Sequence, residues 1–379
     1  MAIFAWNEER AIPVLLKSLL EQSVFSVLKA RNLAAELMVV LNGCTDRSAQ
    51  VAQSVLNAAV REHPDRETFS GHVEDIPQRG KINAWNQYVH SISARSARYL
   101  FMMDADIVIH APDTLRNMLS TLEQDRSADV AVDRPCKDIA FKKAKSLADR
   151  LSLGMSRMTT SADGQLCGQL YCIRAEVARK IYLPKDLPAC EDGFIKALVC
   201  TELLAHDVDP SRVRIAEGAA HTFEAYTSPS AIFRNQKRQI IGQTAVHILV
   251  DDFLKSLPVS ARKDLPGVLK AADNSDPLWL KRLIREHLQR KRFFWRLYPG
   301  LLSQRFKHLS KLDPVKRLLC LPSAFASVAV GLVAAFRAWK TLKTGAIAYW
   351  PKAIRTGLEA PPSLPRGGLT YSSTIQHQD

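Results

Sequence analysis

Apolar and polar positions in the first half of the chain follow two alternating periods. The runs Ala2–Ala5 and Leu37–Leu41 have the continuous apolar pattern of strands buried on both faces. Between them, Ile12, Leu15, Leu16, Leu19 and Leu20 fall at helical spacing. Each strand runs into a polar turn, Trp6-Asn7-Glu8-Glu9 after the first and Asn42-Gly43-Cys44-Thr45-Asp46 after the second, and helical patterns follow both. Gly80-Lys81 precedes another helix start at Ile82-Asn83-Ala84-Trp85-Asn86. Tyr99 to Ile109 is an apolar run broken by Asp104 and Asp106. Repeated strand, polar loop and helix predict an α/β fold with its loops gathered at the strand ends, where ligands bind in such folds.

Two carboxylates one residue apart at the exit of a buried strand are costly unless a positive group meets them. Hard divalent cations take oxygen ligands, and Mg²⁺ typically uses one or two carboxylates plus substrate phosphates. The same spacing also occurs in ordinary strand-end turns. Later motifs narrow the choice: Gly168-Gln169-Leu170-Tyr171, Cys190-Glu191-Asp192-Gly193 and Asn235-Gln236-Lys237-Arg238.

In this order the motifs resemble those of the family 2 glycosyltransferases, inverting enzymes of the GT-A fold. Trp6-Asn7-Glu8 stands for the family's Tyr-Asn-Glu, and Asn42-Gly43-Cys44-Thr45-Asp46 for its second turn. Gly80, Lys81 and Asn86 stand for its Gly-Lys and Asn-bearing helix, Asp104 and Asp106 for its Asp-x-Asp, and Glu191-Asp192 for its Glu-Asp. The resemblance covers roughly residues 1–245. It implies a Rossmann-like mixed sheet flanked by helices and a metal-dependent transfer from a nucleotide sugar, most simply a UDP-sugar. Asp106 is then the direct ligand of a divalent cation (Mg²⁺ or Mn²⁺), and Asp104 faces the ribose or shares the metal. Trp6 stacks near the base, Glu8 and Asn42 contact base or ribose, and Lys81 and Arg238 belong to the nucleotide-sugar site. Asp192 becomes the general base that takes the acceptor proton, with Glu191 orienting it. His221 stands where some GT-A enzymes place a third metal ligand. Each residue also has a plain structural reading: Trp6 packed under a helix, Asp192 capping one, Arg238 solvated, His221 buried.

The chain departs from the pattern at Leu41 and Asn42, where two acids are usual, and at Gln239, where polymerising members carry a Trp. The second departure points to transfer of a single sugar. A nucleotidyltransferase is the competing enzyme class, but no Gly-rich phosphate loop lies near Ile3–Glu9. A catalytically silent, membrane-bound interaction protein is the third reading, and it sits poorly with Asp106 and Asp192 occurring together.

Composition changes the picture mainly beyond residue 245. The seven cysteines show no zinc spacing, and their odd count fits a reducing compartment. Glu8, Glu9 and Arg10 interrupt the first apolar run, so no signal peptide is expected, and the short first strand leaves room for a start upstream. The net charge of +14 is uneven: Lys281–Arg317 holds twelve Lys and Arg against Glu286 and Asp313, interleaved with Phe293, Phe294, Trp295 and Tyr298. Basic residues with aromatics beside an apolar segment read as a surface drawn to anionic lipid. A nucleic-acid patch is the weaker reading, with no recognisable module behind it. Leu318–Phe336 is nineteen residues without a charge, the minimum for a span. Its Pro322 and its two basic flanks leave a spanning, an in-plane and a buried helix all open. The expected organisation is a catalytic domain over 1–245, a basic helical region over 246–360 with a candidate membrane segment at 318–336, and a disordered tail over 361–379. The acceptor is expected to be a glycan or lipid-linked, on the cytoplasmic face of a membrane.

Overall fold

The computed structural model describes residues 1–142, 144–146, 149, 153, 163–226, 228–290, 293–301 and 314–345. Eight strands form one mixed sheet in the order β3-β2-β1-β4-β7-β6-β8-β5. β1 (Ala2–Ala5), β2 (Ala35–Asn42), β3 (Phe69–Ile76) and β4 (Tyr99–Asp104) run parallel, with β1 at Phe4 beside Val40 of β2 and Asp104 of β4. Parallel strands need crossover helices, which cover both faces and explain the unbroken apolar runs. On one face Ile3, Val39 and Met103 pack under α1 (Ala11–Leu20), α2 (Val24–Ala30), α3 (Ser48–Glu62) and α5 (Thr114–Gln124). On the other, Phe4, Val40 and Met102 meet Trp85 of α4 (Lys81–Gln87) and Phe194 of α6 (Glu191–Val199).

The Tyr99–Ile109 run is not a single strand. It breaks at Ala105-Asp106, and the next three residues leave the centre of the sheet for its far edge. There β5 (Ile107–Ile109) pairs antiparallel with β8 (Val213–Phe223). β7 (Leu170–Arg174) lies antiparallel between β4 and β6 (Val130–Lys137). The two acids therefore sit where the chain changes position in the sheet, the kind of switch point at which α/β folds open a crevice.

The core on the Phe4 face does not stop at residue 245. It continues through α7 (Pro229–His247), α8 (Leu265–Ser275), α9 (Trp279–Arg290) and the far half of α10 (Pro314–Thr344), where Ala334, Ala335, Ala338 and Leu342 are buried. Buried Asp273 pins α8 to this face by accepting hydrogen bonds from the Tyr182 hydroxyl (2.9 Å), the Lys185 amide (3.0 Å) and the Trp279 indole (2.7 Å). Among the described residues no single helix is long and apolar enough to cross a membrane. The tail 361–379, much of the 133–168 stretch and the side chains of 318–327 lie outside the described residues.

Asp273→Ala removes the acceptor of three hydrogen bonds and strands two side-chain donors and one amide. The variant is expected to be less stable by about 2–4 kcal/mol, with donor binding retained once folded. Chemical denaturation alongside a donor titration checks both parts.

Candidate active site

A cleft of about 450 Å³ opens at the carboxyl ends of the parallel strands. Trp6, Glu8, Asn42, Lys81, Asp104, Asp106, Glu191, Asp192 and Arg238 all line it, although they come from segments more than two hundred residues apart. His221 does not.

Lys81 sits at the centre. Its Nζ lies 2.6 Å from Asp104 Oδ1 and 2.9 Å from Glu191 Oε1, and it donates to the Gly168 carbonyl at 3.0 Å. Burial alone would lower this ammonium, but Asp104 and Glu191 hold it well above the usual lysine range. Burial also raises Glu191, yet Lys81 and then Arg238 outweigh it and bring that carboxyl to about 2. Asp104 is raised by its burial, with Asp106 adding to the rise and Lys81 opposing it. Asp192 is raised as well, by burial first and by Glu191 beside it, against hydrogen bonds from the Gly193 and Gly168 backbones. A carboxylate moved toward neutrality is better suited to taking a proton at working pH.

Local backbone explains how these groups meet. Gly80 has φ +140° at the start of α4, a region that favours glycine, and its amide donates to Asn42 Oδ1 at 3.2 Å. Gly43 has φ +69°, and a Cβ there would sit 2.9 Å from the Arg79 backbone. The turns after β2 and β3 are thus fitted face to face. Asn7, also at positive φ, accepts from the Thr45 amide at 2.7 Å and ties the first turn to the second.

Several expectations change in detail. Asn42 donates to the Ala5 carbonyl (2.8 Å) and accepts from Gly80, so its amide braces three strand-end loops and is not turned to a base. One face of Trp6 is covered by the Arg79 guanidinium, 3.5 Å from the ring centroid. A base stacking on that face has to displace it. Asp192 is not the cap of α6: Cys190 takes that position at φ +59°, and Glu191 and Asp192 fill the first turn. Their charge is favourable there because the helix amino terminus is positive.

His221 as a metal ligand is not supported. Its ring is fully buried, with Nδ1 2.7 Å from Asp133 Oδ2 and Nε2 3.4 Å from Gln169 Oε1. It reaches the cleft only through Gln169, which lines it. Among the described residues no group of three His, Cys, Asp or Glu side chains converges on a metal position. The donor set is two carboxylates, Asp104 and Asp106, with one oxygen of Asp104 already against Lys81. That set fits a hard cation completing its shell with substrate phosphates, and does not form an all-protein cage.

Among the cleft residues given no role from sequence, Arg79 and Gly168 matter most to the geometry. Arg79 had only its place before Gly80-Lys81 to mark it. Gly168 stood in a quoted motif, but its reason is spatial: a Cβ there would lie 3.2 Å from Asp192 Cβ and 3.5 Å from Glu191 Oε1.

Lys81→Met is expected to destabilise the protein by about 2–4 kcal/mol at neutral pH, because it leaves buried Glu191 and partly exposed Asp104 without their cation. Glu191 is depressed in the fold, so its stabilising contribution is present above about pH 4.5 and fades as pH falls toward about 2. The gap between wild type and variant should therefore narrow in acid, which denaturation at several pH values would show. Gly168→Ala is expected to lower turnover at least tenfold while donor affinity holds, since the methyl presses on Asp192 and not on the Asp104 side.

Comparison with known proteins finds one family match and several similar solved structures. Residues 1–173 match the family model described as Glycosyl transferase family 2. No curated protein matches the chain at a significant level. Similar solved structures include a mycobacterial protein at 14% identity and TM-score 0.38, covering 65% of this chain and 72% of that one. Another is the glucosyl-3-phosphoglycerate synthase of Mycobacterium tuberculosis, at 13% identity and TM-score 0.39, covering 65% and 78%. The same synthase in complex with Mn²⁺ and UDP-glucose gives 14%, TM-score 0.40, and 65% and 77%. Likeness at that level assigns no residue its role. The family match and the strand-end cleft together identify the chain as a glycosyltransferase whose amino-terminal region, residues 1–173, belongs to glycosyl transferase family 2.

Proposed function

We propose that this enzyme transfers one sugar, with inversion, from a UDP-sugar to an acceptor hydroxyl on a lipid-linked or membrane-proximal glycan, with Mg²⁺ or Mn²⁺ as cofactor. The observation that carries the reading is the Lys81 bridge, which joins the acid expected at the diphosphate to the acid pair expected at the acceptor. A donor laid between them would have its leaving group at Asp104–Asp106 and its anomeric carbon toward Asp192.

Asp106 and the second oxygen of Asp104 would hold the cation. When bound, it neutralises charge that builds on the departing diphosphate. Lys81 and Arg238 add fixed positive charge from the cleft walls, aimed where negative charge develops. Asp192 takes the acceptor proton, and Glu191, ionised and locked on Lys81, keeps the neighbouring base partly protonation-prone by its own charge. Trp6 and Glu8 receive the nucleoside end. Seating the base on the covered face of Trp6 exchanges the Arg79 contact, a cation–π interaction of about 0.5–2 kcal/mol, for base stacking. Gln239 in the wall, where polymerising relatives carry a Trp, supports release after one transfer.

Attachment to the cytoplasmic face of an anionic membrane completes the reading, supported by the basic and aromatic composition beyond residue 280. Nucleic acid is the competing partner, and nothing in the cleft favours it.

A panel of nucleotide sugars with Mg²⁺ or Mn²⁺ tests the donor, and EDTA or Asp106→Ala should abolish transfer. Full activity in EDTA would remove the metal from the scheme. Asp192→Asn preserves shape but accepts no proton, so turnover should fall by ~10²–10⁴ with donor affinity little changed. Near-normal turnover would leave Asp192 a helix-end charge only.

A further inference from the structure

Ten large apolar side chains are well exposed among the described residues, and five of them gather on one face: Phe293 (44%), Trp295 (39%), Val330 (40%), Val333 (50%) and Phe336 (47%). Val330, Val333 and Phe336 are spaced three apart on α10 and share its outward stripe. The inward stripe is made of small residues, Gly331, Ala334, Ala335 and Ala338, which lets α10 lie close along α7 and α9. Phe294 joins the two segments, its ring 5.5 Å from Phe336 and 5.1 Å from Trp295, while Phe293 stacks on Trp295 at 4.6 Å. Arg337, Lys340 and Lys343 follow directly, and 314–344 contains five Lys or Arg and no acid.

We propose that this face is an interfacial docking surface for an anionic phospholipid bilayer, on which α10 lies in the plane of the membrane and does not cross it. The proposal rests on the membrane reading above and specifies where it acts. Three observations select lipid. Contiguous exposed aromatic and aliphatic side chains are costly in water and mark an interaction site. The cations beside them complement anionic headgroups, and an apolar face with a basic border is the pattern of helices that lie in the interface. A second copy would bring the same positive charge against this surface, which opposes self-association. A full span is disfavoured because the far half of α10 is already buried against protein through Ala334, Ala338 and Leu342.

The position has a consequence for the acceptor. α10 packs along α7, where Arg337 lies 4.8 Å over the Phe233 ring, and the next turns of α7 carry Asn235, Arg238 and Gln239 into the cleft. One helix therefore separates the docking face from the acceptor side. A bilayer on that face holds the cleft at the membrane surface, within reach of a lipid-anchored acceptor.

Flotation of the full-length protein with vesicles of phosphatidylcholine, alone or with phosphatidylglycerol, tests this. Wild type should float with the anionic vesicles, and part of the binding should resist high salt, as apolar insertion does and a purely ionic contact does not. Val333→Glu with Phe336→Glu should cut partitioning at least tenfold, and Lys340→Glu should weaken binding to anionic vesicles only. Donor binding by the folded variants should stay as in wild type, because none of these side chains enters the cleft. Wild type that binds neither vesicle overturns the proposal together with the membrane reading. Wild type that floats while the double variant floats equally well overturns this face and leaves membrane attachment to another segment. Self-association abolished by the double variant, without vesicle binding, assigns the face to a second copy and also overturns the proposal.

Discussion

The site is organised by one ammonium group. Lys81 is placed where three negative or acceptor groups from distant parts of the chain converge: Asp104 at the end of a central strand, Glu191 at a helix start, and the Gly168 carbonyl between them. Asp104, Asp106, Glu191 and Asp192 crowd one part of the cleft, and where water is scarce their mutual repulsion would keep them apart or protonated. The lysine lets them stay close and distributes their roles. Glu191 remains strongly ionised, while Asp192, one residue on and without a direct bond to Lys81, is shifted the other way. A pair of adjacent acids with divergent environments is a common route to separate duties at one pH.

The sheet makes this convergence possible. Its parallel half delivers the ends of β1, β2, β3 and β4 to one edge, so every loop leaving them faces the same space. The chain then leaves β4 at Ala105-Asp106 and resumes at the opposite margin in β5. That departure opens the crevice beside the two acids. Positions such as Asn42, Asn7 and Gly43 contribute by holding the loops against one another, which fixes the distances that Lys81 exploits.

The helices beyond residue 245 complete the same core. Asp273 and the small-residue stripe of α10 bind them to the sheet's Phe4 face, and α7 serves both as cleft wall and as the bed on which α10 rests. Substrate site and exposed aromatic face are thereby carried on two sides of one packed layer. Rigid packing of that kind keeps the orientation of one set by the other.

Sequence by itself determined the class of fold, the order of the motifs and a set of polar and charged positions that the fold gathers into one cleft. Those follow from local physics: apolar periods mark buried strands, and carboxylates or glycines at strand ends are tolerated only for a reason. It could not show who meets whom. The Lys81 bridge joins residues 23 and 110 positions apart, and such pairing depends on strand order, which periodicity does not encode. Asn42 looked like a ligand-contacting amide because its type permits that; only the neighbouring loop showed both ends of it engaged. Trp6 looked open because nothing in its own segment marked Arg79 as its cover. His221 sits on a strand whose alternation allows either face, and its partner Asp133 lies on the adjoining strand of the finished sheet. The long apolar run at 318–336 left a span, an in-plane or re-entrant helix and a buried helix open, since hydropathy counts residues without direction. The tertiary structure resolved the direction of its described part: small side chains turn inward against protein, and large ones turn out.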